Sequence, residues 1–254
     1  MSDQTTVVVG SAQGIGAVVA RRLAAQNESG RLVLADVRFE AVKRLAAELG
    51  ACGLTVDAVH CDITSQPSID ALVENTGDAT RVALVAGVFQ AKPSDEVTAE
   101  EMDRILRVNL VGTFFVAQAY ARSMMTSGEG GTICAVGSIA ARMPRMRQAA
   151  YCASKAGMRQ ALRVLGMEVI GQGVRINFVS PGPTATEMMA TLSGDHGNAD
   201  LWLGSPQVFR PPIPDRRVGQ PDDVAAAVAF LLSEQSSHIA LHDLYIDGGE
   251  SLGL

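Results

Sequence analysis

With 254 residues, 47% of them hydrophobic and 19% charged, the chain has apolar material for a substantial core and too little charge for a disordered polymer. A formal net charge of −6 excludes a protein whose main work is neutralising phosphate backbones or docking on anionic lipid, so small-molecule chemistry is favoured over nucleic-acid or membrane partners. Only three of the 21 basic residues are lysine, and the arginine excess reads as codon preference except where arginines cluster.

The opening MSDQTTVVVG has no basic start, apolar core or cleavage site, and the longest apolar run, Val224 to Leu232, is far too short to span a bilayer. A cytoplasmic location is the expectation. Thr6 to Val9 reads as a strand, and VVVGSAQGIG puts Gly10, Gly14 and Gly16 directly after it, at the opening of a helix near 14 to 26. Glycines at that place let the backbone turn tightly and admit a pyrophosphate to the helix N-terminal amides. In the helix, Ile15, Val18, Val19 and Leu23 form an inward stripe, with Arg21 and Arg22 facing out.

A second strand, Leu32 to Ala35, runs into Asp36, where a carboxylate can accept hydrogen bonds from adenosine ribose hydroxyls. A 2′-phosphate would meet that charge and Gln13 offers no compensating cation, so NAD is expected, with Arg38 the one residue that could help NADP. The same aspartate can also serve as a helix cap. Further elements follow in alternation: a helix near 39 to 49, strand Thr55 to His60, a helix near 66 to 75, strand Val82 to Ala86, a long helix near 98 to 127, and strand Gly131 to Val136. A helix near 149 to 171, strand Arg175 to Val179, a helix near 221 to 233 and strand Leu244 to Ile246 complete the pattern. This alternation is that of an α/β fold, a single-domain, Rossmann-like, doubly wound parallel seven-stranded sheet flanked by helices on both faces. Residues 1–254 read as one NAD-binding catalytic domain.

YCASK places Tyr151 and Lys155 four apart on a helix, hence on one face about 6 Å apart along its axis. A phenol is a poor base at neutral pH unless something favours its anion, and a neighbouring ammonium can do so. Just upstream, ARMPRMRQAAYCASK clusters Arg142, Arg145 and Arg147, residues suited to gripping the carboxylate of an acidic substrate. Met143, Met146, Met188 and Met189 offer an adaptable apolar wall, or simply packing. Residues 183–220, rich in proline and glycine, break the alternation and read as a mobile segment covering the substrate. Cys52, Cys61, Cys134 and Cys152 form no CxxC pair and read as reduced structural thiols. His238 and His242 lie in a strand-like stretch, so no metal is expected.

The glycine loop, Asp36, CDIT with Asp62, VNL with Asn109, VGS with Ser138, YCASK and PGPTAT occur in an order that resembles the short-chain dehydrogenase/reductase family over essentially the whole chain. The resemblance implies Tyr151 as general acid/base, Lys155 as pKa modulator and ribose ligand, Ser138 as hydroxyl orienter and Asn109 as part of a water-mediated proton path. It implies a cofactor surface of Gly10, Gln13, Gly14, Ile15, Gly16, Asp36, Asp62, Ala86, Gly87, Lys155, Pro181 and Gly182, with Thr184 or Thr186 at the carboxamide, and a homotetrameric assembly. Val9 and Leu84 depart from the family's usual threonine and asparagine, which implies a repacked strand junction or a weakened cofactor site. Within the family, MPRMRQAAYCASKA, GPTATEMMATL and SSHIALHDLYIDGGESLGL resemble enzymes that make a catechol carboxylate for siderophores. That likeness implies NAD-dependent oxidation of a 2,3-dihydro-2,3-dihydroxybenzoate-type acid at its C3 hydroxyl, with aromatisation. The same chemistry on trans-2,3-dihydro-3-hydroxyanthranilate is an open alternative. A carbonyl or 3-oxoacyl reductase and a non-catalytic NAD-binding module are the others.

Overall fold

The computed structural model describes residues 4–26, 30–51, 53–189 and 201–252. Strands β1 (Thr5–Val9), β2 (Arg31–Asp36), β3 (Thr55–His60), β4 (Ala79–Leu84), β5 (Gly131–Val136), β6 (Val174–Pro181) and β7 (Asp243–Ile246) form one sheet. Its order is β3-β2-β1-β4-β5-β6-β7, with every neighbouring pair parallel. The principal helices are α1 (Gly14–Gln26), α2 (Phe39–Gly50), α3 (Gln66–Thr76), α4 (Ala99–Leu106), α5 (Thr113–Ser127), α6 (Ala149–Val169) and α7 (Pro221–Leu232).

Parallel strands covered on both faces must be apolar on both, which is why β1 reads TTVVV rather than alternating. Val7 and Val9 face a cluster with Leu72 of α3, Val116 of α5 and Leu162 of α6. Val8 faces the opposite cluster with Val19 of α1, Val42 of α2 and Val224 of α7. Each such side chain, fully buried, contributes about 1.5–3 kcal/mol of transfer free energy. The direction of winding reverses between β1 and β4, so a crevice opens beyond the carboxyl ends of those strands, where ligands of such sheets bind.

The expected strand 82–86 lies three residues earlier at its start and ends at Leu84. Val85 and Ala86 leave the ladder because both amides donate to the Val9 carbonyl, at 2.8 and 3.0 Å, drawing the chain over the end of β1. Val9 and Leu84 are register partners and both are buried in the same core cluster, so the two departures from the family pattern are matched by apolar packing. The helix expected over 98–127 is also modified. Thr98 starts it with a capping box to Glu101, but Arg107–Gly112 is a π-helical turn between α4 and α5. A Cβ on Gly112 would come within 2.6 Å of the Ile63 carbonyl, so the absence of a side chain there lets the turn lie against the loop after β3. Such turns are rare and concentrate at functional sites, and this one carries Asn109.

Candidate active site

The crevice is a cavity of about 960 Å³ lined from the ends of β1, β2, β4, β5 and β6. At its floor, Gly10 has φ +92° and a Cβ there would meet the Ala86 amide at 2.3 Å, while a Cβ on Gly16 would fall 1.9 Å from the Gly10 carbonyl. Only glycine permits this close nesting of loop and helix, and it leaves a backbone surface that a diphosphate can approach. Asp36 lines the same cavity. One carboxylate oxygen accepts from the Ala12 amide at 3.1 Å and the other from the Arg38 amide at 2.9 Å. Asp36 therefore closes a turn as well as presenting an anion, so the capping and ribose readings coexist. The Arg38 guanidinium is hydrogen-bonded to Gln13 Oε1. Asp62, at the rim, accepts from the Thr64 amide and hydroxyl at 2.9 and 2.7 Å.

Past β6, Pro181, Gly182, Thr184 and Thr186 border the opposite side of the cavity. Thr184 donates to the Gly182 carbonyl at 3.0 Å, and Thr186 reaches over the glycine loop, its methyl 3.8 Å from the Cβ position of Gly14. Ile15, Ala86 and Gly87 also border the cavity. The glycine cradle, the Asp36 carboxylate and these small residues fit a dinucleotide.

Tyr151 lies in the first turn of α6 and Lys155 one turn later, which brings Lys155 Nζ to 6.0 Å from the Tyr151 ring centroid. The Ser138 side chain is hydrogen-bonded to the phenol and also accepts from the Ala140 amide at 3.1 Å. Phe89 packs edge-on against the Tyr151 ring, with centroids 4.9 Å apart. Burial pushes the phenol up to about 12, with Ser138 opposing, and pushes the ammonium down to about 8. Within the chain itself desolvation thus dominates the phenol, and the ammonium expected to favour its anion stands one helical turn away. Lys155 Nζ donates to the Val136 carbonyl at 2.9 Å, which fixes the ammonium at the cavity wall while it retains two further donors.

Asn109 is fully buried and sits behind the cavity wall. Its Oδ1 accepts from the Val88 amide at 2.8 Å, and its Nδ2 donates to the Val88 carbonyl at 2.9 Å and to Ser154 Oγ at 3.0 Å. Each polar atom of its amide is thus engaged with protein. Asn109 thereby ties the π-helical turn to α6 and to the segment that carries Phe89.

The arginine cluster divides. Arg142 is turned into a separate cleft, where it donates to the Tyr245 hydroxyl at 3.2 Å, so it is removed from the candidate substrate residues. Arg145 and Arg147 both line the cavity, Arg147 at φ +65° with its carbonyl accepting from the Lys92 amide at 2.7 Å. Met188, Met189 and Met146 line it too, whereas Met143 does not. The described parts of 183–220 contribute further to the lining, while residues 190–200 and Cys52 fall outside the described residues. Two lining residues, Arg210 and Glu250, were not anticipated; no motif or spacing marks either in PQVFRPP or DGGES. Among the described residues no His, Cys, Asp or Glu cluster is placed to hold a metal, and no described helix is long and apolar enough to cross a membrane.

A parallel sheet of this order with a glycine cradle at its switch point is the framework of a nicotinamide-dependent oxidoreductase. A family model described as enoyl-(acyl carrier protein) reductase matches residues 9–251, and the chain belongs to the short-chain dehydrogenase/reductase family. It is 34% identical to the 2,3-dihydro-2,3-dihydroxybenzoate dehydrogenase of Bacillus subtilis (strain 168), over 97% of this chain and 95% of that one. It is also 34% identical to D-threitol dehydrogenase of Mycolicibacterium smegmatis, covering 99% and 94%. Among solved structures, levodione reductase superposes with a TM-score of 0.89 at 26% identity, covering all of both chains.

Proposed function

We propose that the chain is an NAD-dependent dehydrogenase that oxidises the C3 hydroxyl of a cyclohexadiene carboxylate and so generates an aromatic hydroxy acid, a building block of siderophores or related metabolites. The observation that carries this reading is that Arg145, Arg147 and Arg210 share one cavity with Ser138, Tyr151 and Lys155, so a cation for a ring carboxylate lies in the same enclosure as the proton-transfer group. The names of the relatives from Bacillus subtilis and Vibrio cholerae support the same substrate class. NAD is favoured because Asp36 presents a carboxylate where a 2′-phosphate would have to sit, and because Arg38 is engaged with Gln13.

Ser138 orients the substrate's C3 hydroxyl toward the phenol, and Tyr151 takes that proton. Lys155, anchored by the Val136 carbonyl, presents its remaining donors to the ribose. NAD supplies the hydride acceptor and a positive charge at this corner of the cavity. The arginines hold the ring carboxylate and Met188 and Met189 cover its face. After C3 has lost hydride and its hydroxyl proton, the resulting dienone gains aromatic stabilisation by tautomerising, which makes the oxidation effectively irreversible. We read the protein as cytoplasmic and homotetrameric; the exposed apolar Val111, Phe115, Val164 and Met167 support association.

The test is incubation of the purified protein with NAD and 2,3-dihydro-2,3-dihydroxybenzoate or trans-2,3-dihydro-3-hydroxyanthranilate. One NADH per fluorescent aromatic product is expected, with NAD about tenfold or more better than NADP. Failure to turn over either acid would refute the proposal, and reduction of a 3-oxoacyl thioester with NADPH in its place would establish the carbonyl-reductase alternative.

A further inference from the structure

One oxygen at the substrate end of the cavity has no explained purpose. Glu250 follows β7 in a turn that places its side chain fully out of solvent, yet within the cavity lining. Its Oε1 accepts from Arg145 at 2.8 Å. Its Oε2 is buried and has no hydrogen-bond partner among the described residues. The Cβ position of Gly182, at the cavity wall, is 3.4 Å from that oxygen. Arg210 lines the same end, near enough that its charge and those of Glu250 and Arg145 act on one another. Two guanidiniums and one carboxylate therefore surround the place where an acidic ring would dock.

Burying a carboxylate oxygen without a partner is costly, by about 1–3 kcal/mol or more, so a donor is required when the cavity is filled. Among the described residues Arg210 forms no ion pair of its own, and beyond its longer-range attraction to Glu250 it is the positive charge left for a substrate carboxylate. A hydroxyl on the neighbouring ring carbon could be read by any neutral acceptor, at a far smaller burial cost. A carboxylate is the acceptor that discriminates a cation. Burial drives the Glu250 carboxyl upward in pKa, against the pull of both arginines, which is the condition under which an incoming ammonium adds most.

We propose that Glu250 is a specificity-determining residue whose free Oε2 binds an ammonium beside the ring carboxylate, so that the preferred substrate is a zwitterionic β-amino acid of the dihydro-3-hydroxyanthranilate class. This rests on the dehydrogenase reading above. Arg210 and Arg145 hold the carboxylate, Glu250 holds the C2 ammonium, and the C3 alcohol is left to Ser138 and Tyr151.

The experiment is a comparison of kcat/KM for the 2-amino and 2-hydroxy dihydro acids, on the unaltered protein and on Glu250→Gln, which keeps the volume and a hydrogen bond to Arg145. The unaltered protein is expected to favour the amino acid by about 10–100-fold, and Glu250→Gln to bring the two acids near parity by losing activity on the amino acid alone. Equal use of the two acids by the unaltered protein, a preference for the hydroxy acid, or an equal fall on both in Glu250→Gln overturns the proposal while leaving the dehydrogenase reading in place. If Glu250→Gln does not fold, the preference measured on the unaltered protein decides. Turnover of neither acid removes the dehydrogenase reading and this inference with it.

Discussion

Tyr151→Phe is expected to lower kcat by about 10²–10⁴-fold, the span that a positioned acid/base group supplies, while the Kd for NAD changes only a few-fold. The substitution removes one oxygen and keeps the ring that packs edge-on against Phe89, so the fold and the glycine cradle are untouched. What disappears is the acceptor for the C3 hydroxyl proton and the partner of Ser138. The rate of NADH formation and the quench of intrinsic fluorescence by NAD separate the two effects. A variant that turns over normally would show that the proton leaves by another group. A variant that loses NAD binding in proportion to activity would show that the phenol's role is structural.

Lys155→Met is the second large effect, with an expected loss of about 10²–10⁴-fold in kcat/KM, part of it in cofactor affinity. Unlike Tyr151, this residue should leave a mark on stability with a defined pH dependence. Burial lowers the Lys155 pKa from 10.5 to about 8, so between those values the unfolded chain binds more protons than the folded one and stability rises with pH. The cost of burying the ammonium is fully present below pH 8 and is relieved as pH climbs toward 10.5. The phenol is coupled to position 155 and titrates nearby, so the comparison is made in a Tyr151→Phe background. Urea midpoints should there show the protein that keeps Lys155 gaining on Lys155→Met from pH 8 upward, and a difference that stays flat across that window would mean that the lysine is not desolvated as described.

Much of this site is local chemistry and was readable from the chain. Gly10 and Gly16 announce themselves because a strand-loop-helix nest forbids side chains there, and Tyr151 with Lys155 because helical periodicity alone brings the pair together. The sheet was readable for a related reason, since strands covered on both faces need unbroken apolar runs. What escaped depends on contacts distant in sequence. Arg142, Arg145 and Arg147 look equivalent in ARMPRMR, but a left-handed turn at Arg147, a tyrosine 103 residues from Arg142 and a glutamate 105 residues from Arg145 sort them. The π-helical turn around Asn109 has no composition of its own: RVNLVG reads as ordinary helix, and its extra residue per turn follows from how Gly112 meets the loop after β3. The burial that raises the phenol's pKa was not legible either, because spacing reveals a nearby charge but not how much water has been removed around it.

Oxidation at C3, with the hydride leaving that carbon while Tyr151 takes the hydroxyl proton, is measured most directly with substrate carrying deuterium at C3. The account predicts one deuterium at nicotinamide C4 per aromatic product formed, a primary isotope effect on the chemical step, and an aromatic acid free of label at that carbon. Deuterium found in solvent or in the ring, with unlabelled NADH, would contradict it.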